Sequence, residues 1–83
     1  MESDLHGRLG MALLLAGDAE GALQAFRTER RVTPAWPQAE LREGQALAVL
    51  GRVAAARAAY SRSLAHHPEL GEARDSLASL PAR

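Results

Sequence analysis

The sequence predicts an all-α fold built from a repeated pair of antiparallel helices. Three observations predict it. The 83-residue chain is rich in Ala and Leu and poor in β-branched and aromatic residues, a composition that favours helices over strands. No segment sustains the two-residue alternation of a half-buried strand. The chain also matches itself at one fixed offset, the step from Gly10 to Gly44 or from Gly17 to Gly51, which is the period of a class of stacked helical repeats.

The repeat is carried by residues with mechanical roles. At this offset Arg8 meets Arg42, Gly10 meets Gly44, Ala12 meets Ala46 and Leu13 meets Leu47. Gly17 meets Gly51, Ala22 meets Ala56, Ala25 meets Ala59, Pro34 meets Pro68 and Ala39 meets Ala73. The lone Phe, Phe26, meets the lone Tyr, Tyr60. Gly10 and Gly44 fall mid-helix, where glycine costs about 1 kcal/mol relative to alanine. A cost repeated in register implies a repeated need, and close approach of two helices supplies one. Ala22 and Ala56 are the small residues at the crossing, and Phe26 and Tyr60 fill the space one turn later.

The element boundaries follow. A first helix is expected over residues 4–16, closed by Gly17 as a left-handed cap. Asp18 then caps the start of a second helix over residues 19–32. Residues 33–37 form a linker with Pro34 and Pro37. A third helix is expected over residues 38–50, ending at Gly51, and a fourth over 53–66, stopped by Pro68. A last helix spans about residues 70–80. The organisation is one unit over 3–36, a second over 37–70, and a terminal helix and tail over 71–83.

These residues resemble the tetratricopeptide repeat (TPR). Leu9-Gly10, Leu13, Gly17, Ala22, Phe26 and Pro34 match its pattern in the first unit, and Gly44, Leu47, Gly51, Ala56, Tyr60 and Pro68 in the second. The resemblance covers nearly the whole chain. It implies five helices in antiparallel helix-turn-helix units, stacked as a short right-handed α-solenoid and closed by a solvating helix. The sequence departs from the pattern at His6 and Glu40, where an aromatic would stand. It departs also at Glu43, where a Leu would precede Gly44, and at Glu29, where a small residue would sit. Looser packing between units is expected there. In the last helix Leu77-Ala78 replaces Leu-Gly. Two and a half units is short for such an array, so the chain is expected to be part of a longer array, to self-associate or to dock on a larger protein.

The resemblance implies a concave groove lined by the first helix of each unit. The groove residues would be Gly7, Arg8, Met11 and Leu14, then Leu41, Arg42, Gln45 and Val49, with Asp75, Ser76 and Ser79 beyond. Arg8 and Arg42 stand at equivalent places and would grip a carboxylate together. Their bland role is as solvated arginines bridged to Asp4, Glu40 or Glu43. One TPR subclass clamps the C-terminal carboxylate of heat-shock chaperones. The matching positions here, Gly7, Met11, Arg42, Glu72 and Ser76, lack the residue types it needs, so no such clamp is expected. Trp36, between Pro34 and Pro37, is a candidate anchor for a partner. Packing on Leu41 or on the end of the second helix is the favoured alternative.

Other features bound the function. Ten basic residues, all Arg, balance ten acidic ones. A general nucleic-acid binder would carry excess positive charge, so nucleic acid is an unlikely partner. Arg27, Arg30 and Arg31, with Arg52, Arg57 and Arg62, read as a solvated face paired with Glu20 and Glu29. His66 and His67 are adjacent and point about 100° apart, unlike helical metal pairs at i, i+3 or i, i+4. They suit the negative end of a helix, and no metal is expected. The chain lacks cysteine, so neither a disulfide nor a Cys-based zinc site is available. It shows no catalytic triad, phosphate loop or dinucleotide fingerprint. The acidic start is unlike a signal peptide, and the apolar run Met11–Ala16 is too short to span a membrane. The expectation is a cytoplasmic, non-catalytic, cofactor-free module that binds a partner peptide or helix in its groove. The rival expectation is a self-association or tethering module within a larger protein or complex. A nucleic-acid adaptor using the Arg stripe is the third.

Overall fold

The computed structural model describes residues 5–33 and 38–81, with side chains from residue 8 onward. Pro34, Trp36 and Pro37, and the proposed seat of Trp36, lie outside the described residues. Five helices follow in order: α1 Leu5–Leu15, α2 Ala19–Val32, α3 Ala39–Val49, α4 Val53–His66 and α5 Gly71–Ser79. No strand occurs among the described residues. Each helix packs chiefly on its neighbours in sequence, α1 on α2, α2 on α3, α3 on α4 and α4 on α5.

The two hairpin turns are built alike. Gly17 and Gly51 have φ of 93° and 80°, in the left-handed region that L side chains avoid. After Gly17, the Asp18 N–H reaches back to the Leu13 carbonyl at 2.8 Å, and the Gly17 N–H to Leu14 at 3.1 Å. After Gly51, Arg52 reaches Leu47 at 2.9 Å and Gly51 reaches Ala48 at 3.0 Å. This paired pattern satisfies carbonyls that a helix end leaves open. Asp18 also accepts the Gly21 N–H at 2.9 Å and so caps α2. Arg52 stands in the equivalent place and gives α4 no side-chain cap. Pro68 follows the end of α4 at His66.

Mid-helix glycine and aromatic meet in each hairpin. A Cβ placed on Gly10 would have three Phe26 ring carbons within 2.9 Å, and one on Gly44 would have three Tyr60 ring carbons within 3.1 Å. Real Cβ atoms do not tolerate such approaches, so each ring lies against the bare backbone of the facing helix. Phe26 and Tyr60 are buried, as are Ala22 and Ala56 beside them. One cluster runs through both units, adding Leu23, Leu41, Ala46, Leu47 and Ala59 and reaching Ala73 on α5.

The interface between units differs from the expected loosening. Glu29 and Glu43 are only 1% and 3% exposed, so both carboxylates are enclosed between α2 and its surroundings. Glu29 accepts the Thr33 hydroxyl at 2.5 Å, and Arg30 reaches Glu43 at 3.2 Å. The departures from the repeat pattern make this interface polar instead of open.

Gly44→Ala is expected to lower stability by about 2 kcal/mol or more, since overpacking forces ring or backbone to move. Pairing it with Tyr60→Leu should recover part of the loss, because the smaller side chain yields the space. Thermal melts followed by circular dichroism check this. A Gly44→Ala melt superimposable on the parent would remove the close approach from the account.

Candidate functional site: the face of α1, α3 and α5

The residues expected to line a groove divide into three groups. Arg8 is exposed on α1, and Val49, at the end of α3, is 63% exposed. Met11 and Leu14 are half-buried and pack against the core cluster, leaving only part of each side chain for a ligand. Leu41 is a correction. It is 0% exposed and belongs to the core cluster that runs through both units, because its apolar side chain gains more from that burial than from contact with solvent. It holds the units together and presents nothing to a ligand.

Arg42 and Gln45 meet a partner from α5. Arg42 donates from one guanidinium nitrogen to Gln45 Oε1 at 3.0 Å and to Glu72 Oε2 at 3.4 Å. Gln45 donates to the same Glu72 oxygen at 3.4 Å. α3 supplies the donors and α5 the acceptor, so this triad ties two helices that are not neighbours in sequence. The expected bridges of Arg42 to Glu40 or Glu43 do not form; those carboxylates face other cations. On α5, Asp75 and Ser79 are exposed and Ser76 is half-buried. Ser79 turns its hydroxyl back to the Ser76 carbonyl at 3.0 Å.

A second polar cluster gathers α2, α3 and α4. Glu40 lies 3.0 Å from His66 Nδ1, 3.4 Å from Arg62 and 4.0 Å from Arg30. Glu43 lies beneath it. Burial pushes its carboxyl above the ordinary 4.5, with Arg30, Arg27 and Arg62 opposing and Glu40 adding to the rise. Arg30 Nε comes within 3.2 Å of Glu43 Oε2, yet that oxygen accepts no well-directed hydrogen bond. The contact is electrostatic and off the N–H line. Burial also pushes the Tyr60 phenol above 10.0, with a hydrogen bond to Ser76 opposing.

Several basic residues on or beside α2 and α4 are employed across helices. Arg52 pairs with Glu20 at 3.3 Å, as charge pairing on a solvated face predicts, and both are more than half exposed. Arg57 donates to the Pro81 carbonyl at 2.8 Å. Arg30 and Arg62 turn to Glu40 and Glu43, and Glu29 takes Thr33. His67 sits 3.6 Å from Glu69, so the adjacent histidines engage different carboxylates. No group of three or more metal-ligating side chains occurs among the described residues. None of the described helices is long and apolar enough to cross a membrane.

The sequence pattern names Glu72 only as a clamp position lacking the needed residue type, and it leaves out Leu15. Glu72 completes the Arg42–Gln45 triad, and its signal is an opposite charge on the next first-position helix. Leu15 is 83% exposed and is the repeat equivalent of Val49, so the repeat itself could name it. Comparison with family models, with curated proteins and with solved structures returns no match for this chain.

Two substitutions probe the buried carboxylate. Glu43→Leu restores the residue type found at the equivalent place on either side, at Leu9 and Leu77. It should raise stability by about 1 kcal/mol or more, as apolar replacement of buried ion pairs often does. Because the folded state holds the Glu43 proton more tightly than the unfolded state, its contribution is full below about pH 4.5 and lost as pH rises through the raised value. Glu43→Gln should flatten that fall. Urea unfolding at a series of pH values reads both effects, and a Gln variant with the parental slope would assign the fall to another group.

Proposed function

We propose that the chain is a non-catalytic protein-interaction module of the TPR kind, a short right-handed stack whose first-helix face takes a partner peptide or helix. The observation that carries this reading is the equivalence of the two hairpins. A ring against a glycine recurs at the sequence repeat, Phe26 on Gly10 and Tyr60 on Gly44, and this supports a reading in which α1 and α3 stack in like orientation. Arg8 and Arg42, and Leu15 and Val49, then repeat along one face. Such a surface offers apolar contacts at Leu15, Val49, Met11 and Leu14, and hydrogen-bonding groups at Arg42 and Gln45. A cytoplasmic setting and the absence of a cofactor belong to the same proposal.

Glu72 sharpens the ligand chemistry. Arg42 is only 18% exposed and already holds a carboxylate. An acidic ligand must displace Glu72 or share the guanidinium with it. Surface pairs of this kind contribute roughly 0–1 kcal/mol, so displacement costs little. The groove is thus tuned toward partners whose carboxylate arrives with apolar side chains beside it.

This is tested with a fluorescein-labelled amphipathic peptide bearing acidic residues, titrated by fluorescence polarisation. Glu72→Gln should tighten binding several-fold by releasing Arg42. Arg42→Ala should weaken it with the circular dichroism spectrum unchanged. Binding that ignores both substitutions would move the site off this face.

A further inference from the structure

The polar cluster around Glu40 and Glu43 keeps its acids inside and its cations outside. The side chains of Glu40 and Glu43 are 14% and 4% exposed, while those of Arg30, Arg62 and His66 are 41%, 50% and 63% exposed. α2 supplies Arg30, α4 supplies Arg62 and His66 one turn apart, and α3 supplies both carboxylates. The cations converge because they share an anchor. Arg30 and Arg62 approach the same Glu40 oxygen, at 4.0 and 3.4 Å, and His66 approaches the other at 3.0 Å. The closest approaches use atoms near the stem of each side chain. Arg30 meets Glu43, and Arg62 meets Glu40, through Nε, while His66 uses Nδ1. These arginine contacts are electrostatic, and neither Arg30 nor Arg62 donates a well-directed hydrogen bond among the described residues. The N–H groups of both guanidiniums are therefore left for water or a ligand, on side chains whose positions the buried acids already fix.

We propose that this outer corner of α2 and α4 is a phosphate-monoester site, which takes a phosphorylated serine or threonine side chain of a partner protein between Arg30 and Arg62, with His66 beside them. A carboxylate fills a single guanidinium fork. A phosphate monoester offers three terminal oxygens and about −1.5 to −2 charges at neutral pH, which suits two guanidiniums arriving from different helices. With Nδ1 turned to Glu40, His66 adds an outward donor at Nε2 when its ring is charged, a state that a neighbouring dianion favours. The balance of charge supports the site. Arg27 joins Arg30 and Arg62 in acting on Glu43, whose burial inclines it toward its neutral form. A ligand on the outer side lies nearer the guanidiniums than the carboxylates beneath them, so attraction outweighs repulsion. Ser61 and Ala65, the neighbours of Arg62 and His66 in the chain, are exposed. The corner is thus open and suits a terminal group presented by a polypeptide. A nucleic acid offers only singly charged diesters, and the zero net charge of the chain gives it no general pull on them. This corner is apart from the α1, α3 and α5 face and does not depend on that face binding anything.

The test uses the full chain, isotope-labelled for NMR and titrated with the blocked peptide Ala-Ala-phosphoserine-Ala-Ala. Saturable shifts should centre on the amides around Arg30, Arg62 and His66 and on the two guanidiniums, and the same peptide with unmodified serine should cause none. Arg62→Gln should weaken binding by about tenfold, the loss expected for one charge-assisted contact, with the circular dichroism spectrum unchanged. His66→Gln should weaken it as well. Arg52→Gln removes the same charge from an exposed pair with Glu20 elsewhere on the surface and should change the affinity by less than about twofold. No shifts at millimolar peptide, or an equal loss from Arg62→Gln and Arg52→Gln, would overturn the proposal. So would equal binding of a peptide with glutamate in place of phosphoserine, of inorganic phosphate alone, or of a single-stranded oligonucleotide, each of which would give the corner to a different anion.

Discussion

The fold depends on two places where a side chain has been removed so that a ring can lie on a backbone. Gly10 under Phe26 and Gly44 under Tyr60 set how closely the paired helices approach. Everything around them is scaled to that distance. Ala22 and Ala56 are small because the helices cross there, and the glycine-ended turns are tight because the helices must return at close range. The penalty for glycine in a helix is about 1 kcal/mol. Burial of a large aromatic side chain returns roughly 1.5–3 kcal/mol, so the exchange favours folding in each unit.

Between the hairpins the chain uses different physics. The contact of α2 with α3 encloses Glu29 and Glu43, with Arg30 as a bridge and Glu40 gathering Arg62 and His66 from outside. Buried charges gain little net stability but fix relative position, because a shifted register would strand a carboxylate. The hairpins are thus fastened internally by apolar close packing and aligned with each other by charge. Ser63, which occupies the place of Glu29 one unit later, is fully buried with an unsatisfied hydroxyl. The same position is a large acid in one unit and a small alcohol in the next, so the two inter-unit contacts are not copies.

Features with local causes are legible in the sequence. The helices expected over residues 19–32 and 53–66 match the structure to the residue, because capping, glycine and proline signals bracket them. The glycine–aromatic pairs are legible through repetition, which turns an oddity into a rule. The destinations of long polar side chains are not legible. Arg42 reaches Glu72 across 30 positions of the chain, and no periodicity announces a contact that depends on how α5 packs against the rest. Leu41 departs from expectation for the same reason, since the helical wheel locates a residue around its own axis but not relative to the helix that will cover it. The candidate face is readable as a set of positions, and its internal wiring is not.

One consequence lies in the difference between the two rings. Phe26 ends in carbon, whereas Tyr60 carries a hydroxyl that meets Ser76 of α5. The phenol is sealed where α3, α4 and α5 come together, and it is the only tyrosine in the chain. Its ionisation in alkali is readable as a change in ultraviolet absorbance. The protein therefore carries an optical reporter in its second hairpin, whose ionisation registers the opening of the core around that ring.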